Sequence, residues 1–187
     1  MPFAVARTRD EAHLYLDLHP CEDCGSVDTA WDSALVNVGG ELANRYAGTC
    51  AGCGRPREYL FGLPEREVAP VGFPTFGGPE PSQLVDAGQW LWVADLSAES
   101  AATADPEEAG GALAIASAAV EEIVKFMDAR AERVPERAFW SEIGRRVRDQ
   151  DPGRFTRARL AELRETLSRR AAGNPVRPGT ARERGVG

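Results

Sequence analysis

Cys21-Glu22-Asp23-Cys24-Gly25 and Cys50-Ala51-Gly52-Cys53-Gly54 repeat one short pattern, C-x-x-C-G, and 25 residues separate Cys24 from Cys50. The chain has 187 residues and four cysteines, and all four lie in these two stretches. A C-x-x-C turn brings two sulfurs within reach of one ion. Two such turns complete a tetrahedral set, with Zn–S bonds of about 2.3 Å. Glycine after each second cysteine suits a backbone that must turn tightly, with positive φ, around the metal. Four protein ligands leave no coordination position for water, so a site of this kind supports folding rather than catalysis. The spacing thus predicts a structural Zn²⁺ held by Cys21, Cys24, Cys50 and Cys53. The interval exceeds the usual span of roughly 15–20 residues, which fits a hairpin with long strands.

The residues around the two pairs read accordingly. Trp31, Leu35, Val36 and Val38 lead into Gly39-Gly40, a hairpin-turn signal, and Leu42 through Tyr46 return toward Cys50. After the second pair, Glu58 through Leu63 read as a third strand. Knuckle, hairpin, knuckle and strand, over about residues 20–63, resemble a Cys₄ zinc ribbon. The resemblance implies a small antiparallel sheet around the metal and says nothing specific about activity. The two knuckles also resemble those of rubredoxin, whose Fe(Cys)₄ centre carries electrons. The aromatic positions that usually follow the first knuckle in that family are Ser26, Val27 and Asp28 here, so zinc is favoured over iron.

Other chemistries find less in the sequence. Pro20-Cys21-Glu22-Asp23-Cys24 matches half of a nucleobase-deaminase site, but that reaction also needs an H-x-E, and His13 is followed by Leu14 and Tyr15. His13 and His19 lack the H-E-x-x-H spacing of zinc proteases and read as ordinary surface or packing residues. There is no G-x-x-x-x-G-K-[ST] loop, no G-x-G-x-x-G and no G-x-S-x-G elbow. The expectation is a non-catalytic protein. The N-terminus has no long apolar h-region and no apolar run approaches a membrane span. Paired, reduced cysteines then suggest the cytoplasm. Of 22 basic residues only Lys125 is lysine, which with abundant Ala, Gly and Pro resembles a GC-rich actinobacterial coding bias.

The fold class expected is α+β: a zinc ribbon followed by a helical domain. Thr8-Arg9-Asp10-Glu11 is a capping-box pattern for a short first helix, stopped by Pro20. The expected division is 1–63 for this helix and the ribbon, 64–81 for a Pro/Gly-rich connector, 82–173 for the helical domain and 174–187 for a disordered tail. Phe73 and Phe76 should pin the connector to a domain surface. Ser82 should cap a helix over about 83–96, and residues 97–104 should be an Ala/Ser linker. Asp105-Pro106-Glu107-Glu108 is a helix start. From it Leu113, Ala116, Val120, Ile123 and Met127 form an apolar stripe reaching about residue 129. Phe139, Trp140, Ile143 and Val147 mark another helix. Leu160, Leu163 and Leu167 mark a last one, capped by Thr156.

Net charge is −7, but residues 1–128 carry 7 basic and 21 acidic side chains, whereas residues 129–187 carry 15 arginines and 8 acids. An acidic front half repels phosphate backbones and favours a protein partner. Trp90 and Trp92 are candidate partner-binding residues, since side chains two apart cannot share one helix face. Arg145, Arg146, Arg148, Arg154, Arg157 and Arg159 cluster around the last helix–turn–helix and are the candidates for nucleic-acid binding. The leading expectation is a protein-binding adaptor or accessory module. A nucleic-acid-binding regulator is the first alternative and an Fe(Cys)₄ electron carrier the second.

Overall fold

The computed structural model describes residues 3–66, 69 and 72–174. Its elements are helix α1 (Arg9–Asp17), strands β1 (Thr29–Val38), β2 (Glu41–Cys50) and β3 (Pro56–Gly62), and helices α2 (Ala87–Ser100), α3 (Pro106–Val124), α4 (Glu142–Gln150) and α5 (Arg157–Ala172). The fold is α+β, with the cysteines in the strand region. The strands form one antiparallel sheet in the order β1-β2-β3. Gly39 and Gly40 make the β1–β2 turn with φ of +64° and +94°, the geometry that two-residue hairpins of right-handed twist require.

Opposed residues share a face of such a sheet. Trp31, Ser33 and Leu35 therefore line up with Gly48, Tyr46 and Asn44, and these with Arg57, Tyr59 and Phe61. α1 lies on this face. Tyr15 meets Tyr59 and Phe61 edge-on at 5.9 and 5.4 Å, and His13 meets Tyr46 at 5.5 Å. β3 pairs only as far as Gly62 opposite Ala43, so the hairpin end projects without a third strand, leaving Val38 and Leu42 exposed; Leu35, on the edge strand opposite Asn44, is exposed as well.

The cap of α2 differs from the sequence expectation. Asp86, not Ser82, caps the helix: its side chain accepts from the Gln89 NH while Gln89 bonds back to the Asp86 NH. Ser82 instead closes the preceding turn, its hydroxyl accepting from Leu84 and Val85. Three buried residues after Ser82, Leu84 to Asp86, imitate a helix start in sequence, but the reciprocal Asp/Gln box wins. The helix continues to Ser100, so the expected linker begins later. α3 stops at Val124 rather than near 129. Trp140 precedes α4, which Ser141 caps. Phe76 packs on Trp90 at 4.8 Å, as expected of a connector anchor, whereas Phe73 is exposed. The expected tail falls almost wholly outside the described residues.

α2 packs along α3, α4 against α2 and α5 against α3. The α2–α4 crossing is close because Gly88 and Gly144 meet there. A Cβ on Gly144 would strike the Asp86 carboxylate, and one on Gly88 would strike the Gly144 backbone. Asp86 is fully buried, and its second oxygen accepts from the NH groups of Trp140 and Ser141 at 3.0 and 2.6 Å. One carboxylate thus holds the starts of two helices.

Among the described residues the buried apolar side chains form one cluster, running from Leu16, Tyr46 and Phe61 through Phe76 and Trp90 to Val120, Ile123, Leu160 and Leu167. Buried charges bridge the same two regions. Arg7 bonds Glu11 at 2.6 Å and Glu122 at 2.8 Å, and Lys125 bonds Glu122. Burial opposes the charged form of Arg7, yet the two carboxylates hold its pKa above the ordinary arginine value. Two cations face two anions, so the network is neutral, as buried charges need to be.

Candidate metal centre

The sequence builds two superimposable turns. In each, the glycine NH returns to the first cysteine carbonyl: Gly25 to Cys21 at 2.7 Å, Gly54 to Cys50 at 2.8 Å. The first cysteine NH then bonds the carbonyl beyond the glycine, Cys21 to Ser26 and Cys50 to Arg55, each at 2.8 Å. Gly25 and Gly54 have φ of +72° and +76°. A side chain there would strain the turn, which is why the pattern is C-x-x-C-G.

The register then brings the turns together. Thr29 opposite Cys50, with Ala51 NH bonding the Asp28 carbonyl at 2.9 Å, closes the open end of the hairpin. The four Sγ atoms lie within 4.8 Å of one another. The shortest separations run between knuckles, Cys24 to Cys50 at 3.5 Å and Cys21 to Cys53 at 3.6 Å. None is in a disulfide. Tetrahedral zinc thiolate with bonds of about 2.3 Å has S···S edges of about 3.8 Å, so the donor set has the size of a Cys₄ site and could hold a metal ion. Cys21 and Cys50 are buried, Cys24 and Cys53 exposed.

Electrostatics agree with this geometry. Burial opposes ionisation of Cys50, but the Cys53 and Gly52 NH groups and the Cys24 thiol donate to its sulfur and bring it down to about 6. The Arg55 NH works to lower Cys53, yet desolvation and the other sulfurs push it up to about 12. The first thiolate forms readily and the last is resisted, because like charges this close need a cation among them.

Two arginines brace the centre. Arg55 donates to the Asp23 carboxylate at 2.7 Å, tying one knuckle to the other. Arg57, on the inner sheet face and buried, donates to Thr29 Oγ1 at 2.9 Å and to the His19 carbonyl, and lies 4.9 Å over the Trp31 ring. Sequence reasoning passed over Arg57, since charge in a strand usually reads as solvated. The available signal was parity: Arg57, Tyr59 and Phe61 alternate onto one face. His19 stacks on Tyr15 at 3.9 Å and bonds its carbonyl through Nδ1 at 2.6 Å, a packing role.

The other candidates are placed as follows. Trp90 is fully buried, its Nε1 without a partner among the described residues, and Trp92 is half-buried. The six arginines do not converge as free charges. Arg145 bonds the Trp140 carbonyl, Arg146 bonds Glu142 at 2.9 Å, and Arg148 bonds Glu136 and Asp149. Arg154 grips Asp95 through two bonds of 2.7 Å, Arg157 bonds the carbonyls of Asp128 and Ala131 at 2.9 Å, and Arg159 bonds Glu162 at 2.7 Å. Among the described residues no helix is long and apolar enough to cross a membrane. No family model matches the chain, and comparison with curated proteins and with solved structures finds no match.

Proposed function

We propose that this is a structural zinc protein of the ribbon type, non-catalytic, whose projecting hairpin docks another protein. The observation that carries the metal half is the closed set of four sulfurs on two knuckles. Such a set holds zinc without an open position and fixes the base of the hairpin. Zn²⁺ is favoured over iron, and the ion's work is to fold the ribbon.

The docking half rests on what the fixed hairpin presents. Leu35 and Leu42, on one sheet face, are 60 and 53 % exposed, and Val38, on the other, is 40 % exposed; an apolar tip on a projecting element is what a partner would cover. Glu41, opposite Val38, is exposed and without an ion pair among the described residues. A partner with apolar residues and a basic side chain to meet Glu41 matches this tip. The nucleic-acid alternative has less behind it, because the six arginines are engaged within the chain. Trp92 offers a lesser contact than the hairpin.

Metal analysis of protein purified without added metal tests the first half: one zinc per chain and a colourless solution are expected, whereas a red protein containing iron would replace this reading with electron transfer. Affinity capture from the native host tests the second. A nuclease-resistant protein partner retained by the wild type and lost from a Leu35→Asp/Leu42→Asp variant is expected. A partner retained equally by both would remove the hairpin from the interface.

A further inference from the structure

A cleft of about 680 Å³ opens beside the hairpin, floored by Ser33, Asn44 and Tyr46, bounded by the start of α1 at Thr8–Asp10 and walled by Ala6, Leu63 and Pro64. Its volume is that of a small-molecule site. We propose that it binds the carboxylate of an amphipathic organic monoanion, with the head at Tyr46 and Arg9 and the apolar tail running out over Leu35 and Leu42. The inference does not depend on the zinc site; the tail shares Leu35 and Leu42 with the proposed docking surface, whereas the head at Tyr46 and Arg9 is separate from it.

Tyr46 carries the proposal. The residue is only 5 % exposed, its ring held edge-on by His13 and Phe61 at 5.5 and 5.6 Å. Its hydroxyl nevertheless has no hydrogen-bond partner among the described residues, and the cleft is the space that it lines. The ring is buried while the hydroxyl opens to the cleft, so it is a donor available to an acceptor bound there. Three further groups share the cleft. Arg9 lines the same cleft and forms no ion pair among the described residues, bonding only His13 at 3.5 Å. The Asn44 amide has no partner among the described residues, nor do the first-turn NH groups of Arg9 and Asp10. The start of a nine-residue helix adds its positive dipole end.

Charge selects the class of anion. Arg7 also borders the cleft but is neutralised by Glu11 and Glu122. Asp10 stands on the wall with its carboxylate accepting from the Thr75 NH at 2.8 Å. With Asp10 beside Arg9 the cleft carries little net positive charge, which disfavours a phosphate dianion more than a carboxylate. The tail follows from strand geometry. Leu35 lies opposite Asn44, and Leu42 is two residues along β2 from it, so both continue the cleft floor on the same sheet face, and both are exposed.

The carboxylate could belong to a free small acid or to the C-terminus of a peptide. Calorimetric titration of the full, zinc-loaded chain would use three probes: hexanoate, acetyl-Ala-Val-Leu with a free C-terminus, and the same tripeptide amidated. Saturable binding of hexanoate or of the free-acid peptide is expected, with the amide at least tenfold weaker than the acid. Whichever acid binds more tightly identifies the source. Tyr46→Phe keeps the buried ring and should weaken binding roughly tenfold or more, the usual worth of a hydrogen bond to a charged group. Arg9→Gln, at an exposed position, should do the same. Zinc content and thermal transition should stay at wild-type values in both. The proposal is overturned if neither acid binds saturably, if both variants bind as the wild type does, or if inorganic phosphate binds more tightly than either carboxylate.

Discussion

Replacing Asp86 tests how the helical part is held together. Its carboxylate is fully buried and accepts three backbone NH groups, from Gln89 at 2.8 Å, Trp140 at 3.0 Å and Ser141 at 2.6 Å. Asp86→Ala removes the α2 cap, worth about 1 kcal/mol or more. It also orphans the two NH groups at the start of α4, at about 1–2 kcal/mol each once desolvated. The sum is about 3–5 kcal/mol. For a chain of this length each kcal/mol lowers Tm by roughly 2–4 °C, so a fall of roughly 10 °C is expected. Asp86→Asn can keep one oxygen toward Trp140 and Ser141, but it turns an NH₂ group toward the Gln89 NH. It should lie between Ala and wild type. Urea unfolding followed by far-UV circular dichroism gives the measurement, with the midpoint falling and the slope unchanged. A loss below about 1 kcal/mol in the alanine variant would show that water replaces the carboxylate and that the shared cap is not what joins α2 to α4.

Cys50→Ser, at a buried ligand, should abolish stoichiometric zinc and unfold the ribbon; retention of zinc with an unchanged thermal transition would refute the structural role. Zinc affinity should rise steeply from pH 6 to pH 8, because thiols must lose protons to bind; a competition titration with a chromogenic chelator across that range checks the sign. Gly144→Ala should cost at least about 2 kcal/mol, since the added methyl meets the Asp86 carboxylate and neighbouring backbone in a packed interior; thermal unfolding reads it. Leu35→Asp should change stability by less than about 0.5 kcal/mol, the usual range at an exposed position.

The four-cysteine cluster was legible from spacing because its chemistry is local: two sulfurs per turn, a glycine for the return, and a glycine pair to reverse the chain between them. The α+β class followed from the same stretch and from the apolar period after Pro106. What eluded sequence reasoning depends on distant partners. Ser82 looked like a cap because nothing local says that Asp86 will meet both Gln89 and the start of α4. Trp90 and Trp92 were ambiguous because periodicity does not reveal that Phe76, from the connector, packs on the first. The arginines after residue 140 read as a patch, but Asp95, Glu136 and three backbone carbonyls engage them across the fold. Tyr46 and Arg9 carried no sequence signal: their meeting depends on how α1 is laid across the sheet.

The neutral cluster of Arg7, Glu11, Glu122 and Lys125 has an evolutionary consequence. Changing any one member leaves an odd charge in the interior, a penalty of several kcal/mol, whereas exchanging an oppositely charged pair for apolar residues can be nearly neutral. These positions should therefore be inherited in balanced pairs, with residue 7 tracking residues 11 and 122 across descendants of this chain. Coupled drift between the first turn of the protein and the end of its third helix would be the mark left by a salt-bridged seam, and independent drift at those positions would mean that the seam is dispensable.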